Sequence, residues 1–470
     1  MNTILIADIQ SALQSGTTVR TIVEQSIARA KADETHALLE ITEDYALAQA
    51  DKVDKALQNG ENFGPLAGVP FVAKDNFLTF AGHTTAASHI LENFQAPYQS
   101  TAIQKLEDAG AILIGKANLD AFAHGSSTEN SDFGATKNPS NLSKVPGGSS
   151  GGSVAAVASG IVPFALGTDT GGSVRLPASF CGVVGLKPTY GLISRFGVIA
   201  MASSTDCIGP IANSSGDVAL VLDILSGRDR RDGTTIDRDE ASYVSKQETM
   251  KGKRFGLIKQ FMDAGLAQPV REAIEKACKT IENAGGEVIT IDLPSLELAL
   301  ACYYIIVPAE ISSNLNRYDG IRYGLSEDSA TSLDETYELS RSIGFNTENK
   351  RRIMIGTFVT SSGYHDAYYL KAQTVRSKLI AEFTSAFATV DFLIGPVAAN
   401  TAFDLGSKSN DPLEMYLTDI MTVAANLVGI PSVSLPIPVT DMPVGLQVMA
   451  QQRHDRSLLA VAGELEKELA

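Results

Sequence analysis

The chain has 470 residues, of which 44% are hydrophobic and 20% charged, and its 38 basic and 54 acidic residues give a formal net charge of −16. This composition excludes wholesale disorder, and the acidic balance argues against a free-standing nucleic-acid binder and against binding to an anionic membrane surface. The sequence has no run of 18 apolar residues, so we expect no membrane-spanning helix.

The four cysteines are too far apart for a C-x-x-C pair, which argues against a zinc ribbon or a thioredoxin-like site. Scattered cysteines in a long chain are typical of the reducing cytoplasm. The first 16 residues lack the basic region and apolar stretch of a secretory signal, so we expect a cytoplasmic protein. The six histidines form no metal-ligand pair such as H-E-x-x-H, and no metal site is predicted.

The first part of the chain is predicted to be helical. Over residues 3–58, apolar side chains recur at steps of three and four residues, which places them on one face of a helix. The clearest of these positions are Val19, Ile22, Val23, Ile27 and Ala30. Gly16 is predicted to separate two helices. We therefore place an N-terminal helical segment at residues 1–60.

From Gly64 onward, short apolar runs alternate with glycine-rich turns and helical patterns, which is typical of an α/β fold. The predicted strands lie at 69–73, 111–115, 163–166, 254–258, 287–291, 392–394, 432–435 and 444–448. The predicted helices include 154–159, 270–284 and 375–390. Residues 227–253 are polar and charge-dense, and we expect a surface connection there. No segment resembles an interdomain linker, so we predict a single domain over 1–470 with its core at 61–470.

The densest chemistry in the sequence lies in two glycine–serine clusters, Gly147–Ser153 and Gly167–Ser173, separated by an apolar stretch. Glycines let several backbone N–H groups converge on one point. A hydroxyl beside such a point is a candidate nucleophile with an oxyanion hole. A flexible linker or tight turn is the plainer interpretation of the first cluster alone, but flexible linkers do not alternate with core elements.

Two known motifs match the chain only in form. Residues 147–151 fit the nucleophile elbow G-x-S-x-G, but that motif follows a buried strand, and Asn138–Val145 is polar. The later histidines that could serve such an elbow are His365 and His454. Residues 110–117 approach a P-loop, but the hydroxyl position holds alanine and the middle is an apolar strand.

Lys74 ends an apolar run and is the alternative base for the serines. A lysine at the end of a buried strand is either a snorkelling surface group or a desolvated functional amine. Catalysis by a serine–lysine pair requires a neutral amine, so burial would have to lower the lysine pKa from about 10.4.

Lys74, Gly147–Ser153 and Gly167–Ser173 together resemble the amidase signature family, whose members carry a Ser–cis-Ser–Lys triad. The spacings are typical of that family, with 75 residues from Lys74 to Ser149 and 24 from Ser149 to Ser173. The resemblance implies an amidase signature fold of the α/β class, in which helices flank a central mixed β-sheet and further helices form the N-terminus.

The resemblance also implies catalytic roles. Ser173 is the nucleophile, and Ser149, preceded by a cis peptide bond, relays the proton of Ser173 to neutral Lys74. The backbone N–H groups that surround the developing oxyanion are those of Thr170, Gly171 and Gly172.

Substrate binding is implied for three other residues. Arg352 holds the substrate carboxylate through bidentate contacts, and Asp419 holds the α-amino group. The resemblance implies Tyr304 as the third residue of the same pocket, and the adjacent Tyr303 is the alternative for that position. Without the resemblance, Arg352 and Asp419 would be interpreted as ordinary surface charges.

Within the family, further segments resemble the glutamine-hydrolysing subunits of tRNA-dependent amidotransferases. These segments are 125–131, 180–191, 351–357, 362–369 and 426–431. The resemblance implies a glutaminase subunit that supplies ammonia for converting misacylated Glu-tRNA(Gln) to Gln-tRNA(Gln). It also implies partner subunits B and C, tRNA contacted through the complex, ATP and Mg²⁺ used by the partner, and no cofactor in this chain. The chain departs from these relatives at Leu176 and Cys207, where we expect Gln, and at His124, where we expect Met.

Two other functions remain open. A free-standing amidase acting on a small or peptide amide would use the same triad and would not need the pair Arg352 and Asp419. An inactive scaffold would be expected to have lost Lys74, Ser149 or Ser173, and all three are present.

Overall fold

The structure is a computed structural model that describes residues 3–244, 249–408, 412–439 and 441–469. Its strands are β1 (Leu38–Ile41), β2 (Pro70–Lys74), β3 (Ile112–Ala117), β4 (Phe164–Asp169), β5 (Val184–Lys187), β6 (Cys207–Ala212), β7 (Arg254–Ile258), β8 (Glu287–Ile291), β9 (Phe392–Pro396), β10 (Ser432–Ile437) and β11 (Val444–Met449). They join one sheet of 11 strands in the order β1-β3-β2-β4-β6-β5-β10-β11-β9-β7-β8.

The sheet is mixed. Strand β2 runs parallel to β3 and β4, and β7 runs parallel to β8 and β9. The remaining neighbours pair antiparallel. The predicted α/β fold with a central mixed sheet is therefore confirmed.

Helices flank the sheet. They are α1 (Ile6–Gln14), α2 (Val19–Lys31), α3 (Glu43–Gln58), α4 (Thr101–Asp108), α5 (Gly151–Ala158), α6 (Arg175–Cys181), α7 (Ser215–Leu225), α8 (Lys259–Asp263), α9 (Gln268–Asn283), α10 (Ala299–Asn314), α11 (Leu333–Gly344), α12 (Thr347–Thr360), α13 (Lys371–Phe387), α14 (Pro412–Leu417), α15 (Val423–Val428) and α16 (Asp455–Leu469). Short 3₁₀ segments lie at His89–Leu91, Ala121–Ala123, Pro294–Leu298 and Leu315–Arg317, and a π-helical turn lies at Asp366–Leu370.

Side chains alternate between the two faces of the sheet. In β2, Phe71 and Ala73 join one apolar cluster, whereas Val72 joins the other, which also contains residues of α2, α3 and α5. Successive side chains of a strand point to opposite faces, so an entirely apolar strand is buried on both. This two-sided burial explains why the central strands could be predicted from short apolar runs.

The predicted elements differ from the structure at three strands, which are β1, β5 and β6. Strand β1 lies inside the stretch predicted to be helical, because Leu38–Ile41 pairs with β3 across the sheet edge. Strands β5 and β6 were not predicted. The former has only four residues, and the latter contains Gly209 and Pro210, which are depleted in strands. In the polar connection at 227–253, the described residues form neither helix nor strand, and 245–248 lie outside them.

One helical segment is long and apolar enough to cross a membrane by length and composition. It runs from Pro294 to Arg317, with a mean hydropathy of 1.3 in its most apolar window. More than half of that window, 56%, is buried inside the protein, and α10 packs against α12, α13 and α15. It is a core helix of this fold.

The fold brings the two glycine–serine clusters together. Parallel strands β2 and β4 end at the same edge of the sheet, with Lys74 ending one and Asp169 the other. Helices α5 and α6 begin shortly after Ser149 and Ser173. Candidate residues separated by about 100 positions therefore share one corner of the molecule.

Candidate active site

Lys74 contacts the first glycine–serine cluster through its amine. The Nζ atom lies 2.7 Å from Ser149 Oγ and 3.0 Å from both Ser150 Oγ and Thr168 Oγ1. The side chain is fully buried, so the interpretation of Lys74 as a snorkelling surface group is wrong. The Gly148–Ser149 peptide bond is cis, as the family resemblance implies.

Burial sets the protonation of this amine. Desolvation lowers the pKa of Lys74 to about 7, even though the negative charges of Asp120, Asp169 and Asp206 act to raise it. A pKa near 7 leaves the amine neutral in about half of the molecules at neutral pH. A neutral amine beside a hydroxyl can accept its proton, which is the property a general base needs.

Ser173 lies two residues before the start of α6 and is 8% exposed. Its carbonyl oxygen accepts a hydrogen bond from Ser150 N–H at 3.0 Å, which joins the two clusters. Within the described residues, the hydroxyl of Ser173 has no hydrogen-bond partner, and no bond joins it to Ser149 Oγ. Active-site hydrogen bonds often tighten only when substrate binds.

The turn after β4 is organised by the Asp169 carboxylate. Asp169 Oδ1 accepts a hydrogen bond from Gly172 N–H at 2.9 Å, and Oδ2 accepts one from Val174 N–H at 3.2 Å. In this structure the Gly172 N–H group is therefore already bonded and does not face an oxyanion. Among the described residues, the N–H groups of Thr170 and Gly171 have no partner and could serve one.

Close packing surrounds the same turn. Gly172 has a φ of +134°, a region that favours glycine, and its Cα faces Thr422 too closely to admit a Cβ atom. Thr170 Oγ1 donates a 2.6 Å hydrogen bond to Asp206 Oδ1. Burial raises the pKa of Asp206 to about 6. These contacts hold the turn in one conformation.

Arg352 is 2% exposed, so it is not the ordinary surface charge that the sequence alone favoured. Its guanidinium carbon lies 5.5 Å from the ring centre of Tyr304 and 5.4 Å from that of Tyr416. Its Nε donates to Glu348 Oε1 at 2.8 Å. Among the described residues, its two terminal nitrogens have no hydrogen-bond partner, which leaves the edge that would meet a carboxylate free.

Asp419 is also buried. Its Oδ1 accepts a hydrogen bond from Ser126 Oγ at 2.8 Å, and its Oδ2 accepts one from Tyr304 Oη at 3.0 Å. Burial raises the pKa of Asp419 to about 6, although the bond from Ser126 opposes this. The carboxylate is therefore mostly ionised at neutral pH and can attract an ammonium group.

The structure distinguishes the two adjacent tyrosines. Tyr304 contacts both Asp419 and Arg352. Tyr303 instead packs its hydroxyl against Gly171 in the turn after β4, where a Cβ atom would not fit. Of the two tyrosines, Tyr304 is therefore the one whose contacts join Asp419 and Arg352.

A cavity of about 330 Å³ opens beside these groups. Its lining residues are Asp120, His124, Gly125, Ser127, Glu129, Asn130, Thr347, Glu348, Arg351, Arg352, Lys408, Pro412 and Met415. Ser173 and Asp419 are not among them. The wall nevertheless reaches the triad, because Asp120 packs so closely on Gly148, the residue before Ser149, that no Cβ atom would fit there.

The histidines considered as partners for an elbow lie away from the serines. His365 contacts Asp366, and His454 contacts the carbonyl oxygen of Gln452. His454 is exposed, and the side chain of His365 is 44% exposed. The nucleophile-elbow interpretation therefore has no histidine in place. Across the described ranges, no group of three or more His, Cys, Asp or Glu residues is arranged to hold a metal ion.

Sequence reasoning missed several residues that contact the predicted site residues. They are Ser126, Ser150, Thr168, Asp206, Glu348 and Tyr416. Ser126 and Ser150 stand inside motifs that carried the family resemblance, so position in a motif could have indicated them. Tyr416 and Glu348 carry no such signal, because only the fold brings them to Arg352.

Comparison with known proteins gives a consistent result. The sequence profile of the amidase family matches residues 21–459. The A subunit of glutamyl-tRNA(Gln) amidotransferase from Thermoanaerobacter pseudethanolicus is 49% identical over 433 residues, which is 92% of this chain and 88% of that protein.

Solved structures show the same relationship. The crystal structure of the A subunit of glutamyl-tRNA(Gln) amidotransferase from Thermotoga maritima superimposes with a TM-score of 0.76 at 39% identity, covering 93% of this chain and 96% of that one. The peptide amidase of Stenotrophomonas maltophilia superimposes with a TM-score of 0.85 at 29% identity, covering 100% of this chain and 97% of that one.

Proposed function

The chain belongs to the amidase family, and on this basis we propose that it is the glutamine-hydrolysing subunit of a tRNA-dependent amidotransferase. The observation that carries the proposal is the buried Lys74–Ser149 contact of 2.7 Å in a chain that also buries Arg352 and Asp419. Lys74 and Ser149 can accept and pass on the proton of a nucleophile. Arg352 and Asp419 complement the carboxylate and the ammonium group of a free amino acid. The 49% identity to one of the subunits of a glutamyl-tRNA(Gln) amidotransferase supports the same assignment.

In the proposed reaction, Ser173 Oγ attacks the side-chain amide carbon of glutamine. The hydroxyl proton passes through Ser149 to the neutral amine of Lys74. The negative charge that develops on the carbonyl oxygen is stabilised by the N–H groups of Thr170 and Gly171. Gly172 N–H joins them only if it leaves Asp169.

The carbon–nitrogen bond then breaks. Lys74 returns the proton through Ser149, so ammonia leaves and a glutamyl ester remains on Ser173. Water then attacks the ester carbon and gives its proton through Ser149 to Lys74. The bond to Ser173 Oγ breaks, the proton returns to Ser173, and glutamate is released. Throughout the reaction, Arg352 binds the α-carboxylate and Asp419 binds the α-ammonium group. Tyr304 contacts the side chains of Arg352 and Asp419 and orients them. No step uses a cofactor or metal ion in this chain.

The proposal extends to the assembly. The chain acts with partner subunits B and C, and the ammonia converts Glu-tRNA(Gln) to Gln-tRNA(Gln) at a partner that uses ATP and Mg²⁺ and contacts the tRNA. All four cysteines are free thiols, which supports a location in the reducing cytoplasm. All described strands share one sheet, which supports one amidase domain over 1–470, with the N-terminal segment at 1–60 and the core at 61–470.

A free-standing amidase is the second candidate, favoured by the superposition on a peptide amidase. The test compares the purified complex on L-glutamine and on a C-terminal peptide amide, with ammonia release and Gln-tRNA(Gln) formation as readouts. Faster hydrolysis of glutamine together with amidated tRNA supports the proposal. Hydrolysis of the peptide amide without use of glutamine would overturn it.

A further inference from the structure

His124 is a buried imidazole on the wall of the cavity beside Arg352. The side chain is fully buried, and it shares the cavity lining with Gly125 and Arg352. The proposed reaction assigns it no role. Its hydrogen bonds nevertheless define which ring nitrogen carries the proton.

Asn349 determines the tautomer of His124. The Asn349 amide nitrogen lies 2.9 Å from the carbonyl oxygen of Ala121 and 2.8 Å from His124 Nδ1. A carbonyl oxygen only accepts, so the amide group must present its nitrogen on this side, and its two hydrogens serve the two acceptors. His124 Nδ1 is therefore an acceptor without a hydrogen, and the neutral ring carries its proton on Nε2.

The charge state agrees with this geometry. A second proton on Nδ1 would point at an N–H group of Asn349. Burial, together with the positive charge of Arg352, lowers the pKa of His124 well below its ordinary value. The ring therefore presents one neutral donor, Nε2–H.

Nε2 of His124 is buried and forms no hydrogen bond within the described residues. Buried donors are almost always paired, and an exception in a native fold calls for an explanation such as an absent ligand. Among the described residues, no acidic group of the same cavity bonds to it: Asp120 and Glu348 accept hydrogen bonds from other donors, and Glu129 Oε2 is itself buried without a partner.

The neighbouring charge indicates what kind of acceptor is missing. The two terminal nitrogens of Arg352 are also without partners among the described residues, and they belong to a buried cation lining the same cavity. Donors of one cation and one neutral ring together suit an anion with several acceptor oxygens. A carboxylate provides these oxygens, and a neutral donor adds a hydrogen bond to it without adding a second buried charge.

We propose that His124 is a substrate-binding residue whose Nε2–H donates a hydrogen bond to the α-carboxylate of glutamine beside the guanidinium of Arg352. This inference rests on the proposed function. It makes His124 a determinant of specificity for amides that carry an α-carboxylate.

The test pairs two variants with two substrates on the assembled enzyme. His124→Met keeps a buried side chain of similar size without a donor, and His124→Gln keeps an N–H group near the position of Nε2. L-glutamine carries the α-carboxylate, whereas 4-aminobutanamide has the amine and the amide but lacks it. His365→Met, which replaces a partly exposed histidine outside the cavity, is the matched control.

For His124→Met we expect kcat/KM on glutamine to fall about ten-fold or more, mainly through KM, as expected for a lost hydrogen bond to a charged group. On 4-aminobutanamide the same variant should match the wild type, and His124→Gln should recover most of the loss on glutamine. Competitive inhibition by glutamate and by 4-aminobutanoate, which lacks the α-carboxylate, should give the same contrast in Ki.

Equal losses of kcat/KM on both substrates would show that His124 has a structural role. An unchanged KM for glutamine in His124→Met would show that His124 donates no hydrogen bond to the substrate. Either result overturns the inference while leaving the glutaminase function intact. Failure of the wild-type complex to hydrolyse glutamine would instead overturn the proposed function, and the inference with it.

Discussion

Asp169 and Arg175 form a fully buried ion pair beneath the turn that carries Ser173. Arg175 Nε lies 3.0 Å from Asp169 Oδ2, and Nη2 lies 3.0 Å from Oδ1. Arg175 also donates to the side chains of Gln447 and Asn426. The Asp169 carboxylate also accepts a hydrogen bond from the backbone of Gly172. The Asp169–Arg175 pair therefore links the turn to strand β4, to helix α6 and to the distant strand β11.

Replacing Arg175 should destabilise the protein strongly. Burial opposes ionisation of Asp169, but the charge and hydrogen bonds of Arg175 lower its pKa to about 2. In Arg175→Met the ionised carboxylate stays buried without its partner, which should cost about 3–5 kcal/mol of unfolding free energy. Urea unfolding measures the loss. The matched control is Arg20→Met, which breaks the exposed pair with Asp51 and should leave the unfolding free energy nearly unchanged, because water screens exposed ion pairs.

Glutamine hydrolysis should rise with pH through about 7. The active amine is neutral Lys74, its pKa is about 7, and the neutral fraction grows about ten-fold between pH 6 and pH 8. Asp419, whose pKa is about 6, also ionises as the pH rises, and its ionised form binds the α-ammonium group of glutamine, so this group raises kcat/KM with pH as well. A pH profile of kcat/KM provides the measurement. Lys74→Arg should be inactive throughout, because arginine stays protonated, and an active arginine variant would contradict the role of Lys74.

Ser173→Ala should abolish glutamine hydrolysis and ester formation, because it removes the attacking oxygen. Mass spectrometry of quenched reactions detects the glutamyl ester as added mass on the peptide containing residue 173. Ser153→Ala is the matched control, since Ser153 is a buried serine of the same region whose hydroxyl bonds the carbonyl oxygen of Leu166. Wild-type activity in Ser173→Ala would rule out this serine as the nucleophile.

Arg352→Ala should impair glutamine use and spare amidation with external ammonia. The lost contacts to the α-carboxylate should cost about 1.5–3 kcal/mol in kcat/KM, mainly through KM, because the carboxylate keeps its charge in the transition state. An ammonium salt bypasses glutamine in the assembled complex. Lys350→Ala, which removes an exposed cation of the same helix, serves as control. Equal failure with both nitrogen donors would indicate a structural role for Arg352.

Thr170→Val should lower kcat and leave KM nearly unchanged. The hydroxyl of Thr170 donates to Asp206 and holds the turn whose N–H groups are proposed to meet the oxyanion only during reaction. We expect about a ten-fold loss of kcat, typical of one misplaced hydrogen bond. Thr170→Ser keeps the donor and should retain most of the activity, and equal losses in both variants would exclude this positioning role.

Local sequence patterns suffice to predict the features that depend on neighbouring residues. Apolar runs identify β2 and β4, because a strand buried on both faces has no polar alternation. The motifs that carry the resemblance identify the family and bring Lys74, Ser149 and Ser173 together as candidates. Local patterns fail at β1, which is a strand because of its pairing with β3.

The electrostatics and the contacts of the site follow from tertiary packing. The pKa of Lys74 depends on desolvation and on three carboxylates from different segments. Ser126 meets Asp419 across 293 positions of the chain, and an amide in α12 determines which ring nitrogen of His124 carries the proton. Burial and hydrogen bonding are properties of groups close in space. A sequence orders residues along the chain, and only the packed fold brings distant ones together.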